Sequence, residues 1–262
     1  MTGTRAEIAK LARLLGDPPE RFAYLAALPA ADVRVVRERA TDVLFGANRQ
    51  VFDRIAAASR LVPSAITAAI AQRTFGPLLS ARVAGALEPS RAVDLAGRLP
   101  VPFLADVAAE LDPRRIADVL ALLPVERVLA VGKELLRRRD HITMGRFVAD
   151  LPAPTLRATI TILNEESLLR TAVYSESVDR FPVLFALLPD ERLPAVAHTL
   201  AAADAEFAED VYPLLPHLDP TALTRLAAAV RTLPAAERTD FAALAETTGV
   251  LDRLGSLAEV LS

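Results

Sequence analysis

The sequence predicts an all-α solenoid of short helices, and three observations predict it. First, Leu87, Leu99, Leu111 and Leu123 stand 12 residues apart and open the same phrase: LEPSRAVDLAGR, LPVPFLADVAAE, LDPRRIADVLAL and LPVERVLAVGKE. A unit of that length holds one helix of about nine residues and a turn. Such a helix cannot bury its apolar face alone, so neighbours must stack. Second, Ala and Leu dominate a chain that is 52% hydrophobic but only 5% aromatic, a composition that favours helix. Third, positions 6 and 9 of each unit and position 1 of the next (Ala92, Leu95, Leu99; Ile116, Val119, Leu123) have the spacing of one apolar helix stripe.

The elements follow in order. A first helix runs from about Arg5 to Leu15 and ends at Gly16, with Asp17-Pro18-Pro19 as the stop-and-restart signal. A second carries Phe22, Leu25 and Leu28 up to Pro29. A longer one with Val33, Val36, Val43 and Leu44 is interrupted at Gly46 before Val51, Phe52 and Ile55. From Leu61 to Leu87 the only charges are Arg73 and Arg82. Helices over Ser64–Gln72 and Pro77–Leu87 are therefore expected to be covered on both sides. In the repeat units, a proline near the start lacks only an N–H that would be unpaired anyway. Asp112, Asp140 and Asp219 are N-caps by type and position. Units resume at Leu151 and Leu163, a polar turn falls at Tyr174–Ser177, and later phrases open at Leu188, Leu218 and Leu233. A final helix over about Val250 to Leu261 closes the chain. The expected organisation is an N-terminal helical cap over residues 1–60 continuous with a solenoid over residues 61–262, one structural domain of roughly 15 to 18 short helices.

Over Leu111 to Leu136, LDPRRIADVLALLPVERVLAVGKELL, the chain resembles the cytoplasmic N-terminal domain of MgtE-type magnesium transporters. Related short-helix superhelices occur in flagellar motor switch proteins. The likeness is clearest over about Leu87–Leu136 and weaker over about Leu151–Asp240. It implies an armadillo-like, right-handed superhelix of short helices. It also implies magnesium sensing through acidic groups, which in those transporters are shared with a CBS pair; the CBS pair and the membrane channel that follow there are not expected in this chain, so the fold carries over better than magnesium sensing. Asp94, Asp106 and Asp118 occupy position 8 of three successive units, and a row of carboxylates at a repeated position suits hydrated Mg²⁺ or a basic partner. Solvated carboxylates paired with Arg91 and Arg115 are the plainer expectation.

Composition excludes several classes. Thirty Lys and Arg against 33 Asp and Glu give a net charge of −3, which is no footprint for nucleic acid. There is no Cys, so thiolate chemistry and thiol-based zinc sites are excluded. No apolar stretch approaches the roughly 20 residues of a membrane span, and the N-terminal residues carry Arg5, Glu7, Lys10 and Arg13, unlike a signal peptide. The expected location is cytoplasmic. His141, His198 and His217 stand in no metal-ligand spacing, and no nucleophile-elbow, dinucleotide or phosphate-loop motif appears, so no enzyme activity is expected.

Beside magnesium-responsive regulation, which the resemblance implies, two binding functions remain. The first is a non-enzymatic adaptor or scaffold whose concave face takes a protein partner. The second is a carrier or sensor of an apolar small molecule. Residues 140–150 (DHITMGRFVAD) break the repeat and hold the one internal Met and a Gly inside a helical pattern. Met144 and Phe147 are candidates to line an apolar site with Phe103, Tyr174, Phe181 and Phe185. Filling of core gaps by these larger side chains is the alternative.

Overall fold

A computed structural model describes residues 2–46 and 48–261. Met1, Ala47 and Ser262, which fall within the expected ranges 1–60 and 61–262, lie outside the described residues. These are all-helical, with no strand among them. The elements are α1 (Thr2–Leu15), a 3-10 helix Pro19–Ala27, α2 (Ala30–Gly46), α3 (Arg49–Ser59), α4 (Ser64–Ile70), a π turn Ala71–Phe75, α5 (Gly76–Ala84), α6 (Pro89–Arg98), α7 (Val101–Glu110), α8 (Ala117–Leu122) and α9 (Val125–Arg137). Then come α10 (His141–Val148), α11 (Ala153–Ile162), α12 (Glu165–Val173), α13 (Phe181–Ala186), α14 (Leu193–Ala201), α15 (Ala205–Val211), α16 (Pro220–Arg231), α17 (Ala235–Thr247) and α18 (Ala258–Leu261).

Local chemistry accounts for the boundaries. Asp112, Asp140 and Asp219 accept from the backbone N–H of Arg114, Thr143 and Ala222, each satisfying one orphan donor of a helix start. The helix ends are set by Leu-Pro pairs: Leu99 and Leu123 are extended, with ψ 144° and 133°, because a following proline disfavours helical backbone. Through the middle of the chain many helices pack on the one two places along: α4 on α6 and α6 on α8; α5 on α7, α7 on α9 and α9 on α11; α10 on α12, α12 on α14 and α14 on α16. The densest core lies towards the C-terminus, where Leu200, Tyr212, Leu226, Phe241 and Leu254 are fully buried. There the Tyr212 ring meets Phe241 at 5.1 Å and its hydroxyl donates to the Leu200 carbonyl.

A helix that ends without a glycine has nothing to fold its last carbonyls inward, and these need other donors. Arginines from later helices supply them. Arg91 on α6 donates to the Ser59 and Val62 carbonyls after α3. Arg127 on α9 donates to the Ala96 and Leu99 carbonyls at the end of α6. Arg146 does the same for Ala109 and Leu111, Arg192 for Ile160 and Leu163, and Arg225 for Phe185 and Leu188. Each guanidinium also sits at the negative end of a helix dipole.

The N-terminal helices fold back along the chain. Arg5 on α1 pairs with Glu206, Arg13 with Asp140, and α1 packs on α15. On α2, Asp42 meets Arg114 and Arg115, and Phe45 lies beneath the Arg82 guanidinium at 3.3 Å. The expected cap thus reaches residues 82 to 210 rather than one end of the helix order. At its centre is a buried charge network. Glu7 accepts from Lys10 at 3.0 Å and Arg37 at 2.8 Å, and Arg37 reaches Glu176 at 2.7 Å. Glu7, Lys10 and Arg37 are all buried. Burial pushes the Glu7 carboxyl up, but Lys10, Arg37 and Arg34 together hold it below its ordinary value of 4.5.

Three expectations need correction. Residues 61–87 are not covered on both sides: Leu61 is 89% exposed, and Ile66, Ile70 and Leu78 are exposed as well. Low charge there reflects an uncovered apolar surface. The second element is a 3-10 helix over its whole length. The last helix is broken into 3-10 turns Leu251–Arg253 and Gly255–Leu257 before α18, with Gly255 at φ 50°.

Candidate functional site

The repeat that builds the helices also leaves a space between them. Position 10 of the four 12-residue units is Ala96, Ala108, Leu120 and Gly132. All four line one cavity of about 230 Å³. Three of them are small residues, Ala96, Ala108 and Gly132, which leave the gap between these helices unfilled. Every helix from α3 to α12 contributes, with Ala68, Val83, Leu95, Val107, Val119, Val131 and Leu163 among the walls. No lining residue is exposed. The walls are almost wholly apolar. For scale, an engineered apolar void of roughly 150 Å³ takes up benzene.

A second cavity of about 100 Å³ lies among α11 to α16, lined by Leu156, Leu169, Phe181, Phe185, Val196, Leu200 and Leu226. Val148, Thr159, Leu163 and Thr171 line both cavities, so the two spaces share one wall.

The expected aromatic-and-Met site is therefore divided. Met144 and Phe147 line the larger cavity, and Phe181 and Phe185 line the smaller. Phe103 packs with Leu95 and Leu99 beside the larger cavity without lining it. Tyr174 lines a third space of about 150 Å³, part polar and part apolar, with Arg139, His141, Arg170, Phe207 and Asp210. There burial pushes the Asp210 carboxyl up and the His141 imidazole down, the latter helped by Arg170.

The glycine inside residues 140–150 has a steric reason. A Cβ at Gly145 would lie 2.5 Å from the Thr171 carbonyl oxygen and 2.6 Å from the Tyr174 Cβ. Only glycine lets α10 pack this closely on α12.

The three aspartates at position 8 do not converge. Asp94 accepts from Arg98 at 3.1 Å, Asp106 pairs with Arg138, and Asp118 is exposed. Among the described residues no group of three or more His, Cys, Asp or Glu is placed to hold a metal ion. Of the arginines expected to pair with them, Arg91 does reach Asp94, at 3.9 Å, while also donating to carbonyls, and Arg115 pairs instead with Asp42 and Asp112.

The sequence reading missed the small residues at position 10, because it followed the apolar stripe and not the volume of each residue in it. It also missed the carbonyl-binding arginines, whose signal is an Arg at position 5 of a Leu-initiated unit, as in Arg91, Arg127 and Arg192. Among the described residues no helix is long and apolar enough to cross a membrane. Neither family models, curated proteins nor solved structures give a match to this chain.

Proposed function

We propose that this protein is a non-enzymatic superhelical stack that carries or senses an apolar small molecule between its two series of helices. The observation that carries the reading is the cavity of about 230 Å³ with its apolar wall. A well-packed interior has few voids larger than a water molecule, and ligand sites are concave, mostly apolar and largely pre-formed. Packing of α4 to α9, α11 and the even-numbered helices α10 to α16 on neighbours two places along, together with the resemblance to the MgtE-type N-terminal domain, supports a right-handed solenoid as the frame. Native mass spectrometry beside a denatured control tests the function. The expected result is an extra mass lost on denaturation, or taken up from an added fatty-acid mixture. A bare chain mass in both preparations would overturn the reading.

A second reading, a scaffold for a protein partner, is favoured by a different observation. Residues 48–79 leave Val51, Leu61, Ile66, Ile70 and Leu78 exposed. The same segment carries Arg49, Arg54, Arg60 and Arg73 against the single acid Asp53. An acidic segment with apolar anchors fits that surface. If this reading is right, reversing the charge of Arg54 and Arg73 abolishes partner capture while small-molecule uptake is retained.

A further inference from the structure

Helix α4 is apolar on two opposite faces. Thr67 and Ala68, with Ala71 just after them, line the larger cavity. Ile66, Ala69 and Ile70 are exposed, and helical periodicity puts them on the other side. The neighbouring helices repeat this division. Ile55 and Ser59 on α3 line the cavity while Val51 and Arg54 are exposed, and Ser80 and Val83 on α5 line it while Leu78 is exposed. α3 packs on α5, and the π turn joins α4 to α5, which keeps these exposed residues in one region of the surface. The charge there has one sign. From Arg54 to Leu87 there is no Asp or Glu, in a chain whose net charge is −3. Arg49, Arg54 and Arg73 are exposed and have no ion-pair partner among the described residues. Arg60 holds only the exposed Glu88.

An exposed apolar surface marks a place of contact, and unpaired arginines among the apolar side chains call for an anionic partner. We propose that the outer face of α3 to α5 docks on an anionic phospholipid bilayer, with Leu61, Ile66 and Ile70 entering the acyl boundary and the arginines meeting lipid phosphates. The choice of a bilayer over an acidic protein segment rests on the carrier reading. A molecule that suits the apolar cavity also partitions into bilayers, and this face stands one helix away from that cavity. Among the described residues no helix is long and apolar enough to cross a membrane, so the contact is interfacial. Attraction between arginines and anionic headgroups adds to the burial of apolar side chains, and it weakens as salt rises.

The test is cosedimentation of the full chain with vesicles of phosphatidylcholine alone and of phosphatidylcholine mixed equally with phosphatidylglycerol. Binding should need the anionic lipid and weaken with salt. Arg54→Gln with Arg73→Gln should weaken it about thirtyfold, the usual effect of two arginines at an anionic surface. Ile66→Ser with Ile70→Ser should weaken it about tenfold through lost apolar burial. All four side chains are exposed, so the fold is kept. Arg231→Gln with Arg253→Gln, exposed towards the C-terminus, should weaken it far less. The chain has no Trp, so Ile70→Trp is a single reporter. Its emission should shift to the blue and be quenched by brominated acyl chains, whereas Val183→Trp, exposed on α13, should show neither. No binding to the mixed vesicles, binding unchanged by either pair of substitutions on this face, or binding without quenching at Ile70→Trp would overturn the inference. Binding of a Glu-Leu-Leu-Glu repeat peptide by a chain that ignores the vesicles would overturn it too and give the face to a protein partner. These readouts need no cavity ligand, so their failure and failure of the carrier reading are told apart.

Discussion

Gly145 on α10 stands directly against the backbone of Thr171 on α12: an added Cβ would come within 2.5 Å of the Thr171 carbonyl oxygen. The nearest obstacles are backbone and the Tyr174 Cβ, neither of which is the far end of a flexible side chain. Gly145→Ala should therefore destabilise the fold by about 1–3 kcal/mol, the usual cost of overpacking, although alanine is the better helix former. Urea unfolding measures it. An unchanged midpoint would mean that α10 and α12 are not held this closely.

The arginines that reach back to helix ends give a second prediction. Arg127→Met keeps the length of the side chain but leaves the Ala96 and Leu99 carbonyls without their donor. Leaving buried acceptors unpaired costs about 1–3 kcal/mol. The same change at the exposed Arg137, whose partner is Glu134 on its own helix, should be nearly neutral. Denaturant midpoints of the two variants should thus differ clearly; equal midpoints would remove the arginines as a device that joins the helices.

Glu7 makes stability depend on pH. Its folded-state carboxyl is held below its ordinary 4.5. Its contribution is therefore present above that value and is lost as pH falls through the lower, folded value. Asp140 acts in the same direction: burial raises it, but the Arg13 guanidinium and the Thr143 N–H and hydroxyl bring it below 3.8. Glu7→Gln should cost about 3 kcal/mol at neutral pH, because Lys10 and Arg37 then keep only Glu176 in a buried site. It should also flatten the loss of stability on acidification below pH 4.5. An acid limb as steep as that of the wild type would show that Glu7 does not carry it.

What was legible in the sequence was local. The Leu-Pro pairs, the aspartate caps and the 12-residue stripe act within one helix and its turns, and α6 to α9 follow from them. Met144 and Phe147 stood out for the same reason, since Gly145 between them breaks a local rhythm, and both line the larger cavity. What was not legible depends on partners far along the chain. Glu7 and Lys10 look like an ordinary exposed i,i+3 pair until Arg37 and Glu176 close over them. Arg127 looks solvated until α6 presents its carbonyls. Residues 61–87 looked buried because low charge was equated with coverage, and pattern alone does not say whether another helix arrives. The candidate site was split for the same reason: Tyr174 and Phe181 lie seven residues apart yet face different spaces.

The account stands on the larger cavity taking up an apolar molecule, and Ala108→Leu tests it. Ala108 lines that cavity, and a leucine there fills space without needing a hydrogen bond. The measurement is the thermal midpoint of wild type and Ala108→Leu with and without saturating toluene. A ligand that binds only the folded state must raise the midpoint. The account predicts a rise for the wild type, and for Ala108→Leu a higher starting midpoint with little further rise. A wild-type midpoint unmoved by toluene would contradict it.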